Sequence, residues 1–472
     1  MTEIKKIKEN VWEILKEGNM LVPGRIFASD KLMENIKNDK TLEQVKNVSC
    51  LSGIKSHSFA MPDSHQGYGF SIGGVAAFDL NKGIISPGGV GYDINCGVRV
   101  LTSNIKIDDF LKKRTEILER LYINIPSGVG KGAKIRIDKK ELREICENGV
   151  DWCIENGYAT EEDKERTEEY GHMKGADFNS VSDRATKRGM PQLGSLGAGN
   201  HFLEVQKVEE IFDEKIAESF GVDKDNILIM LHCGSRGFGH QIASDYIQSM
   251  EEKYGFENLP DRELICAPFK SELGQNYYKA MCCAVNYAFC NRQMITHWIR
   301  ETFKEFFPDS ELRMIYDVAH NIAKIEEHKI NNKTEEVCIH RKGATRSFGP
   351  GRKEIPDVYR KIGQPVLIPG SMGTFSYILV GTSKAEEISF GSTAHGAGRV
   401  MSRHGALREF KGEEIKKQLE KQDIKIKAGG WKSIAEEAPG VYKDINEVVK
   451  VSHELGIGNL VVKLKPLAVM KG

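Results

Sequence analysis

SPGGVGYDINCGVR, residues 86–99, is the most informative stretch of this sequence, and the other motifs are interpreted from it. Its glycines allow sharp turns and a close approach of the backbone to a ligand. Asp93 and Cys96 lie three residues apart, so both side chains can reach one ion, and a thiolate sulfur can bridge two. A cysteine is usually an inert buried thiol. The glycine-rich setting and the nearby carboxylate instead favour a metal ligand.

Histidines elsewhere occur in similar glycine-rich or polar settings. His201 lies in GAGNHFLE, His232 in LHCGSRG and His320 in YDVAHN. A single histidine is more often structural, but three of them with a carboxylate and a thiol suit a metal, which needs several converging ligands. The sequence therefore predicts a metal site built from distant segments. Ligand softness makes zinc the first expectation, with manganese or iron as alternatives.

His395 differs from these residues because it lies in STAHGAGR, where small neighbours leave the imidazole accessible. A neutral imidazole is a competent nucleophile at phosphorus. Arg399, four residues later, could stabilise a phosphate. The alternative is a histidine that only caps a helix. His404 follows closely in SRH, but it lies outside this motif and is not the predicted nucleophile.

The charge balance argues against binding of nucleic acid through bulk positive charge. The 472 residues include 67 Lys and Arg and 67 Asp and Glu, so the net charge is zero. A local basic groove is still compatible with this balance. Between residues 341 and 361 the basic residues predict either a phosphate-contacting patch or a solvated loop. They are Arg341, Lys342, Arg346, Arg352, Lys353, Arg360 and Lys361.

The cysteine pattern and the N-terminus predict a reduced, cytoplasmic protein. Ten cysteines occur without a CxxC pair, and the first residues are charged rather than apolar. No apolar run approaches the length of a membrane span, so no membrane partner is expected.

The distribution of motifs predicts the domain organisation. Residues 51–105 are typical of short strands and tight turns, about 108–190 of helices, and 272–306 of one long buried helix. Motif residues extend from 63 to 471 without a linker. We therefore predict one α+β domain over 1–472, with mixed β-sheets at the core, helices around them and a helical insertion at about 108–190.

Eight motifs occur in an order that resembles the RtcB-type RNA-splicing ligases nearly from end to end. They are GYDINCGVR, GAGNHFLE, HCGSRG, YDVAHNI, HRKGATR, PGSMGT, HGAGR and VMKG. The resemblance implies an enzyme that joins RNA 3′-phosphate or 2′,3′-cyclic phosphate ends to 5′-hydroxyl ends, using GTP and two Mn²⁺ ions. It also implies a role in tRNA splicing or RNA repair and leaves open an activator of the archease type.

The same resemblance implies a role for each motif residue. Cys96 would bridge the two ions, with Asp93 and His201 completing one shell and His232 and His320 the other. His395 would become guanylylated, its ring oriented by Asp63 in MPDSHQG. Arg399 would support the phosphates. The nucleotide-binding residues implied are Asn200, Phe202, Glu204, Asn321, Ser371, Ser376, Gly396, Gly398, Tyr442 and Lys471.

Two other functions fit the same residues. A dinuclear metal-dependent phosphoesterase would use the same ligand shell but would not need His395 as a nucleophile. A metal-stabilised RNA-binding protein would use the shell for structure alone.

Overall fold

Two large β-sheets form the centre of the protein, in a computed structural model that describes residues 3–128 and 132–472. The strands are β1 (Ile4–Lys8), β2 (Val11–Ile14), β3 (Gly24–Phe27), β4 (Ile54–His65), β5 (Ile72–Asp79), β6 (Ile84–Ile85), β7 (Gly97–Lys106), β8 (Phe202–Ile211), β9 (Asn226–Cys233), β10 (Ala267–Pro268), β11 (Leu312–Ala319), β12 (Asn321–Ile330), β13 (Lys333–Lys342), β14 (Ala344–Arg346), β15 (Pro365–Ile368), β16 (Ser376–Val380), β17 (Ser392–Ala394), β18 (Lys425–Ala428) and β19 (Asn459–Lys471).

Helices surround these sheets. They are α1 (Asp30–Lys37), α2 (Thr41–Val48), α3 (Pro87–Val90), α4 (Ile107–Asn124), α5 (Lys139–Asn148), α6 (Val150–Glu155), α7 (Glu161–Glu165), α8 (Asp183–Gly189), α9 (Glu214–Ser219), α10 (Arg236–Tyr254), α11 (Glu272–Phe306), α12 (Ser383–Ser389), α13 (Arg403–Glu409), α14 (Gly412–Lys421), α15 (Trp431–Glu436) and α16 (Ile445–Leu455). Short 3₁₀ turns lie at 168–171, 178–180, 262–264 and 439–441. Of the helices described, none combines the length and the apolar character needed to cross a membrane.

Both large sheets are mixed. The first has the strand order β1-β2-β3-β4-β5-β13-β12, with β3 and β4 parallel and the other neighbours antiparallel. The second has the order β11-β7-β9-β8-β19-β16-β15, and β18 adds to it parallel to β19. The predicted α+β class, with mixed sheets at the core and helices around them, is confirmed.

The long helix α11 packs behind the second sheet. Ser271 caps its first turn by accepting a hydrogen bond from the backbone of Gly274, and Phe307 follows its last turn. Its bounds match the helix predicted over 272–306. It packs against α4, α5 and α10, and these helices together with the second sheet enclose the largest apolar core.

The segment predicted as a helical insertion contains α4 to α8. In α4, Phe110, Ile117 and Leu121 are buried at helical spacing, which explains why this face packs against α11. The strands that flank the segment, β7 and β8, lie on either side of β9 in one sheet. That these helices form an insertion into one domain stays a prediction.

Strand pairing brings four sequence motifs to one edge of the second sheet, the edge where the ends of β7, β8, β9 and β11 lie side by side. Gly97, the first residue of β7, pairs with Cys233 at the end of β9 and with Ala319 at the end of β11. Phe202, the first residue of β8, pairs with His232. Antiparallel neighbours meet start to end, so the segments preceding β7 and β8 and those following β9 and β11 converge at this edge.

Candidate active site

The five predicted metal ligands meet at this edge. The Cys96 sulfur lies 3.3 Å from His201 Nε2 and 3.1 Å from His232 Nε2. His232 Nε2 is 3.2 Å from His320 Nε2, and His201 Nε2 is 2.8 Å from Asp93 Oδ2. They form two groups of three that could each hold a metal ion and that share the Cys96 sulfur.

The ligand atoms of Cys96, His232 and His320, one of the two groups, lie against one another in a buried site. Burial, together with the nearby His201 and His395, lowers the pKa of His232 well below its ordinary value, and burial does the same for His320. Both rings are therefore neutral at neutral pH. Burial also raises the pKa of Cys96 to about 12, so only a nearby cation would hold it as a thiolate. Sulfur, imidazole and carboxylate converging here fit a divalent transition metal.

Close packing at glycines brings the ligand loops together. A Cβ atom at Gly234 would overlap the Asp93 carboxylate, so the turn after β9 can lie against this ligand only with glycine at that position. The backbone of Cys96 adds direct links, because its carbonyl accepts a hydrogen bond of 2.9 Å from the His320 N–H. The glycine-rich character of HCGSRG and GYDINCGVR thus has a steric cause.

Polar side chains on α11 hold the ligand loops from below. Asn291 Oδ1 accepts hydrogen bonds from the backbone N–H groups of Gly194 and Ser195, at 2.8 and 3.1 Å. Its Nδ2 donates to the carbonyls of Ser195 and Gly234. One buried amide therefore links the turn that precedes His201 to the turn that follows His232.

Arg292, also on α11, links the loop that contains Cys96 to the end of β9. Its Nη1 donates to the carbonyls of Asn95 and Cys233 at 2.8 and 2.9 Å, each next to a predicted ligand. Asp317 on β11 accepts from Arg292 and from Arg99, and all three side chains are fully buried. The bidentate contact neutralises the arginine and fixes its direction.

His395 lies beside the ligand cluster, and Asp63 holds it. Its Nδ1 is 2.5 Å from Asp63 Oδ2, which also accepts the backbone N–H groups of His395 and Gly396 at 3.0 and 3.2 Å. Burial opposes ionisation of Asp63, but His395 and Lys443 hold the pKa of this carboxyl below its usual value. An ionised Asp63 accepts the Nδ1 proton of His395, which leaves Nε2 with a free lone pair.

The imidazole of His395 opens into a cleft of about 720 Å³. Its ring centre is 4.7 Å from that of His320, so the predicted nucleophile and a predicted metal ligand are neighbours. The predicted residues that line the cleft are Asp93, Cys96, Asn200, Phe202, His232, His320, Asn321, Ser371, His395, Gly396, Gly398, Arg399, Tyr442 and Lys471.

Three of the other predicted residues lie just behind this lining. His201 is buried between Asp93 and Cys96. Ser376 is outside the cleft lining, and its hydroxyl oxygen accepts a hydrogen bond of 3.1 Å from the Gly370 N–H. Glu204 lies on β8 opposite Val469 of β19, two residues from Lys471. The predicted set is thus brought to one place, and the individual roles stay predictions.

Glu204 has one oxygen without a partner. Gln206 donates to its Oε2 at 2.7 Å, whereas Oε1 is buried and has no hydrogen-bond partner among the described residues. Burial raises the pKa of this carboxyl to about 8. An orphaned buried acceptor is costly, so Oε1 fits a ligand that presents N–H donors, as guanine does through N1 and N2.

Other predicted residues already have partners. Asn321 donates its amide to the Asp93 carbonyl at 3.0 Å and accepts the Gly343 N–H at 2.8 Å. Arg399 pairs with buried Glu437 at 3.1 Å and stacks over the Tyr442 ring. These contacts orient the residues at the cleft wall, and a direct contact with nucleotide is not required to explain their positions.

For the basic residues between 341 and 361, both predicted alternatives, a phosphate-contacting patch and a solvated loop, are wrong for Arg341 and Arg346. Arg341 is fully buried and makes a bidentate contact with Glu326 at 2.6 and 2.8 Å. Arg346 is buried against Glu168 and Glu169. These parts of β13 and β14 are buried on both faces, and carboxylates neutralise the two arginines there. Only Lys342 of this set lines the cleft.

Sequence reasoning missed the supporting residues Asn291, Arg292 and Glu437, and the cleft residues Tyr68, Tyr92 and Arg403. One signal was available for the first two. They are polar residues within the otherwise apolar helix YYKAMCCAVNYAFCNRQMIT, and a buried polar group in such a helix needs a partner.

Comparison with known proteins gives the family. A family profile described as "tRNA-splicing ligase RtcB" matches residues 44–472. A tRNA-splicing ligase RtcB of Methanococcus maripaludis is 53% identical over 478 residues, covering 99% of each chain. That of Thermococcus kodakarensis is 51% identical over 480 residues, covering 100% of this chain and 99% of its own, and that of Nanoarchaeum equitans is 49% identical over 475 residues. The chain belongs to the tRNA-splicing ligase RtcB family.

Proposed function

We propose that this RNA ligase joins a 3′-phosphate or 2′,3′-cyclic phosphate RNA end to a 5′-hydroxyl end through a guanylylated His395. The observation that carries the proposal is the arrangement of His395. Its Nδ1 is held by Asp63, and its ring lies 4.7 Å from that of His320, beside the two ligand groups.

The first step would be attack by His395 Nε2 on the α-phosphorus of GTP. The N–P bond forms as the bond to the β-phosphate oxygen breaks, and pyrophosphate leaves. Asp63 holds the Nδ1 proton throughout and stabilises the positive charge that develops on the ring. A free Nε2 beside a charge-stabilising site is what nucleotidyl transfer requires.

The second and third steps would use the same centre. An oxygen of the RNA 3′-phosphate takes GMP from His395, which restores the neutral imidazole. The 5′-hydroxyl oxygen then attacks the activated 3′-phosphorus, and GMP leaves as the phosphodiester forms. A 2′,3′-cyclic end would first be hydrolysed to the 3′-phosphate.

Two Mn²⁺ ions are the proposed metals, one held by Cys96, His232 and His320 and the other by Asp93, Cys96 and His201. Bound there, they would neutralise phosphate charge and polarise the attacked phosphorus. Asp63 keeps the His395 ring in place. Of the five ligands, Asp93 is half-buried and the other four are buried.

Guanine would lie in the arm of the cleft formed by Phe202, Ser371, Tyr442 and Lys471. Strand β19 places Lys471 opposite Phe202 and Val469 opposite Glu204. The free Glu204 Oε1 would accept the N1–H and N2–H of guanine. Adenine lacks these donors at the corresponding positions, so GTP is the proposed nucleotide rather than ATP.

Incubation with α-labelled GTP and Mn²⁺ tests the proposal. We expect label that stays covalently bound through denaturation, is released by acid as expected of a phosphoramidate, and is lost in His395→Ala. His404→Ala, which alters an exposed histidine of α13, is the matched control. A wild-type protein that takes no label but hydrolyses phosphate esters would instead be a dinuclear phosphoesterase.

The physiological setting is part of the same proposal. We propose cytoplasmic tRNA halves or cleaved RNAs as substrates, with turnover open to stimulation by an archease-type protein. Addition of such a protein to labelled enzyme and broken RNA would show whether it raises the ligation rate.

A further inference from the structure

Tyr68, Tyr92 and His240 form a group of aromatic side chains that the proposed reaction steps do not use. Tyr68 follows β4 and lines the cleft, and Tyr92 directly precedes Asp93 and lines it too. The Tyr68 and Tyr92 rings are 5.5 Å apart and meet edge to face. His240 of α10 stacks on the outer side of Tyr92, with ring centres 4.9 Å apart and an interplanar angle of 28°.

These rings come from three separate segments and are only partly covered. Tyr68 and Tyr92 are half-buried at the margin of the main core, and His240 is exposed. Aromatic side chains dominate burial when they are packed in a core. Here the rings meet at the surface instead, beside the centre where the RNA phosphate reacts.

Basic side chains lie beside the rings, although burial lowers the pKa of one of them, Lys342, to about 7. Lys342 Nζ lies 6.0 Å from the centre of the Tyr68 ring and donates to the Phe70 carbonyl at 3.1 Å. Exposed Arg188 of α8 contacts α10 through Gln241, next to His240, at 2.9 Å. Glu263 lies close by and accepts the Gly69 N–H at 2.8 Å, and Asp93 and Glu251 are further carboxylates near the rings. Rings flanked by cations are the combination that binds unpaired nucleotides without reading their sequence.

We propose that the Tyr68–Tyr92–His240 group is a stacking platform for an unpaired nucleobase next to the RNA break. The inference rests on the proposed ligase function, because it assigns the part of the cleft lined by Tyr68 and Tyr92 to the RNA strand. A base held there would keep a terminal phosphate or hydroxyl at His395 and the metal ligands. Stacking would also make the enzyme tolerant of the base identity at the junction.

The nucleobase can belong to either RNA end, and fluorescence separates the two. One oligonucleotide carries 2-aminopurine as its 3′-terminal nucleotide with a 3′-phosphate, and another carries it as its 5′-terminal nucleotide with a 5′-hydroxyl. Each is titrated with the Mn²⁺-loaded full-length protein without GTP. We expect quenching of at least one probe by the wild type, and that probe identifies the end that stacks.

Variants test whether the platform causes the quenching. Tyr68→Leu and His240→Ala are expected to lose much of the quenching and to weaken RNA binding about 5- to 150-fold, the range measured for removal of one stacking partner. Tyr92→Phe keeps a ring and should behave as the wild type, whereas Tyr92→Leu should not. Tyr254→Leu, at the far end of α10, is the matched control because its ring lies away from the cleft.

The GTP-labelling assay on the same wild-type preparation keeps the two proposals apart. Absence of label would contradict the ligase function. A labelled wild-type enzyme that quenches neither probe, or platform variants that quench and bind RNA as the wild type does, would overturn the stacking platform alone.

Discussion

Two buried clusters of histidine and acid in this protein look alike by composition but differ in how their atoms are paired. In the first sheet, Glu326 accepts two hydrogen bonds from Arg341 and lies 2.9 Å from His328 Nε2. Arg341 also donates to Ser392 and to the Phe390 carbonyl. Both oxygens of Glu326 have a hydrogen-bond partner and the arginine neutralises the carboxylate, so the cluster is complete without a ligand.

The cluster of predicted metal ligands at the edge of the second sheet lacks such pairing. There the Cys96 sulfur lies 3.1 Å from His232 Nε2, which lies 3.2 Å from His320 Nε2, and His320 Nδ1 is buried without a hydrogen-bond partner among the described residues. Residue type and burial are therefore poor guides to a functional site. What separates the two clusters is whether a cation is still needed.

Substitution of Cys96 is expected to have the largest effect and tests the difference between the two clusters most directly. Cys96→Ala removes the atom shared by both ligand groups, and we expect covalent labelling with GMP to fall about 1,000-fold, equivalent to about 4 kcal/mol of transition-state stabilisation. The metal-free protein should keep its unfolding temperature. Cys146→Ala, another fully buried thiol but on α5, serves as control. Full labelling in Cys96→Ala would exclude a bridging role.

Arg341 provides the opposite test. Arg341→Met leaves the buried Glu326 without its partner, and we expect the free energy of unfolding to fall by about 3–5 kcal/mol. Labelling per folded molecule should not change. Denaturant titration measures the loss, and Lys353→Met, which breaks an exposed pair with Glu327, should have little effect. Recovery of stability in the double variant Arg341→Met, Glu326→Leu would locate the cost in the unpaired charge.

Arg292 connects the buried pair with Asp317 to the backbone next to the predicted metal ligands. Arg292→Lys keeps the charge but cannot reach Asp317 and the two loop carbonyls together. We expect the Mn²⁺ concentration for half-maximal labelling to rise about 10- to 100-fold, with activity restored at high Mn²⁺. Arg300→Lys is the matched control, because Arg300 lies on the same helix and pairs with Asp163 at 2.6 and 2.7 Å outside the site. Equal effects of both variants would reduce Arg292 to a general structural role.

Glu204 is expected to give the smallest effect, a change of KM for GTP with pH whose direction follows from its raised pKa. Its pKa of about 8 in the free protein lies above its ordinary value because of burial, so the carboxyl is neutral at pH 6.5 and becomes ionised as the pH rises through 8. Guanine needs the ionised form, and we therefore expect KM for GTP to fall about tenfold between pH 6.5 and 8. In Glu204→Gln this pH dependence should disappear. A wild-type KM that is flat over this range would contradict ionisation of Glu204 on binding.

The same carboxyl affects stability in the opposite direction. Because the pKa of Glu204 is higher in the folded than in the unfolded protein, its contribution to the free energy of unfolding is fully present below about pH 4.5. This contribution is lost as the pH rises toward 8. Without nucleotide, the protein should therefore become less stable over this interval than Glu204→Gln. Thermal unfolding at several pH values in the absence of GTP measures the difference.

Much of the fold and of the site could be predicted from local patterns. The apolar run NILIMLHC becomes the buried strand β9, and the long apolar helix has the predicted bounds. Motifs with glycine and a ligand residue meet at one edge because each lies where a strand begins or ends. The pairing of Arg341 with Glu326 could not be predicted, because it depends on the register in which β13 pairs with β12, and this is a tertiary property. Nor could the sequence place Asn291 beneath two loops about 60 and 100 residues away.

The position of β19 has a consequence for biosynthesis. This strand lies at the middle of the second sheet, between β8 and β16, although it occupies residues 459–471. A nascent chain that has emerged only as far as residue 458 holds His395 and every predicted metal ligand but lacks the strand that joins the two halves of the sheet. Pairings of such large sequence separation form slowly. Completion of the second sheet therefore waits for residues 459–471, and a chain without them exposes the edges of β8 and β16 to pairing with other chains.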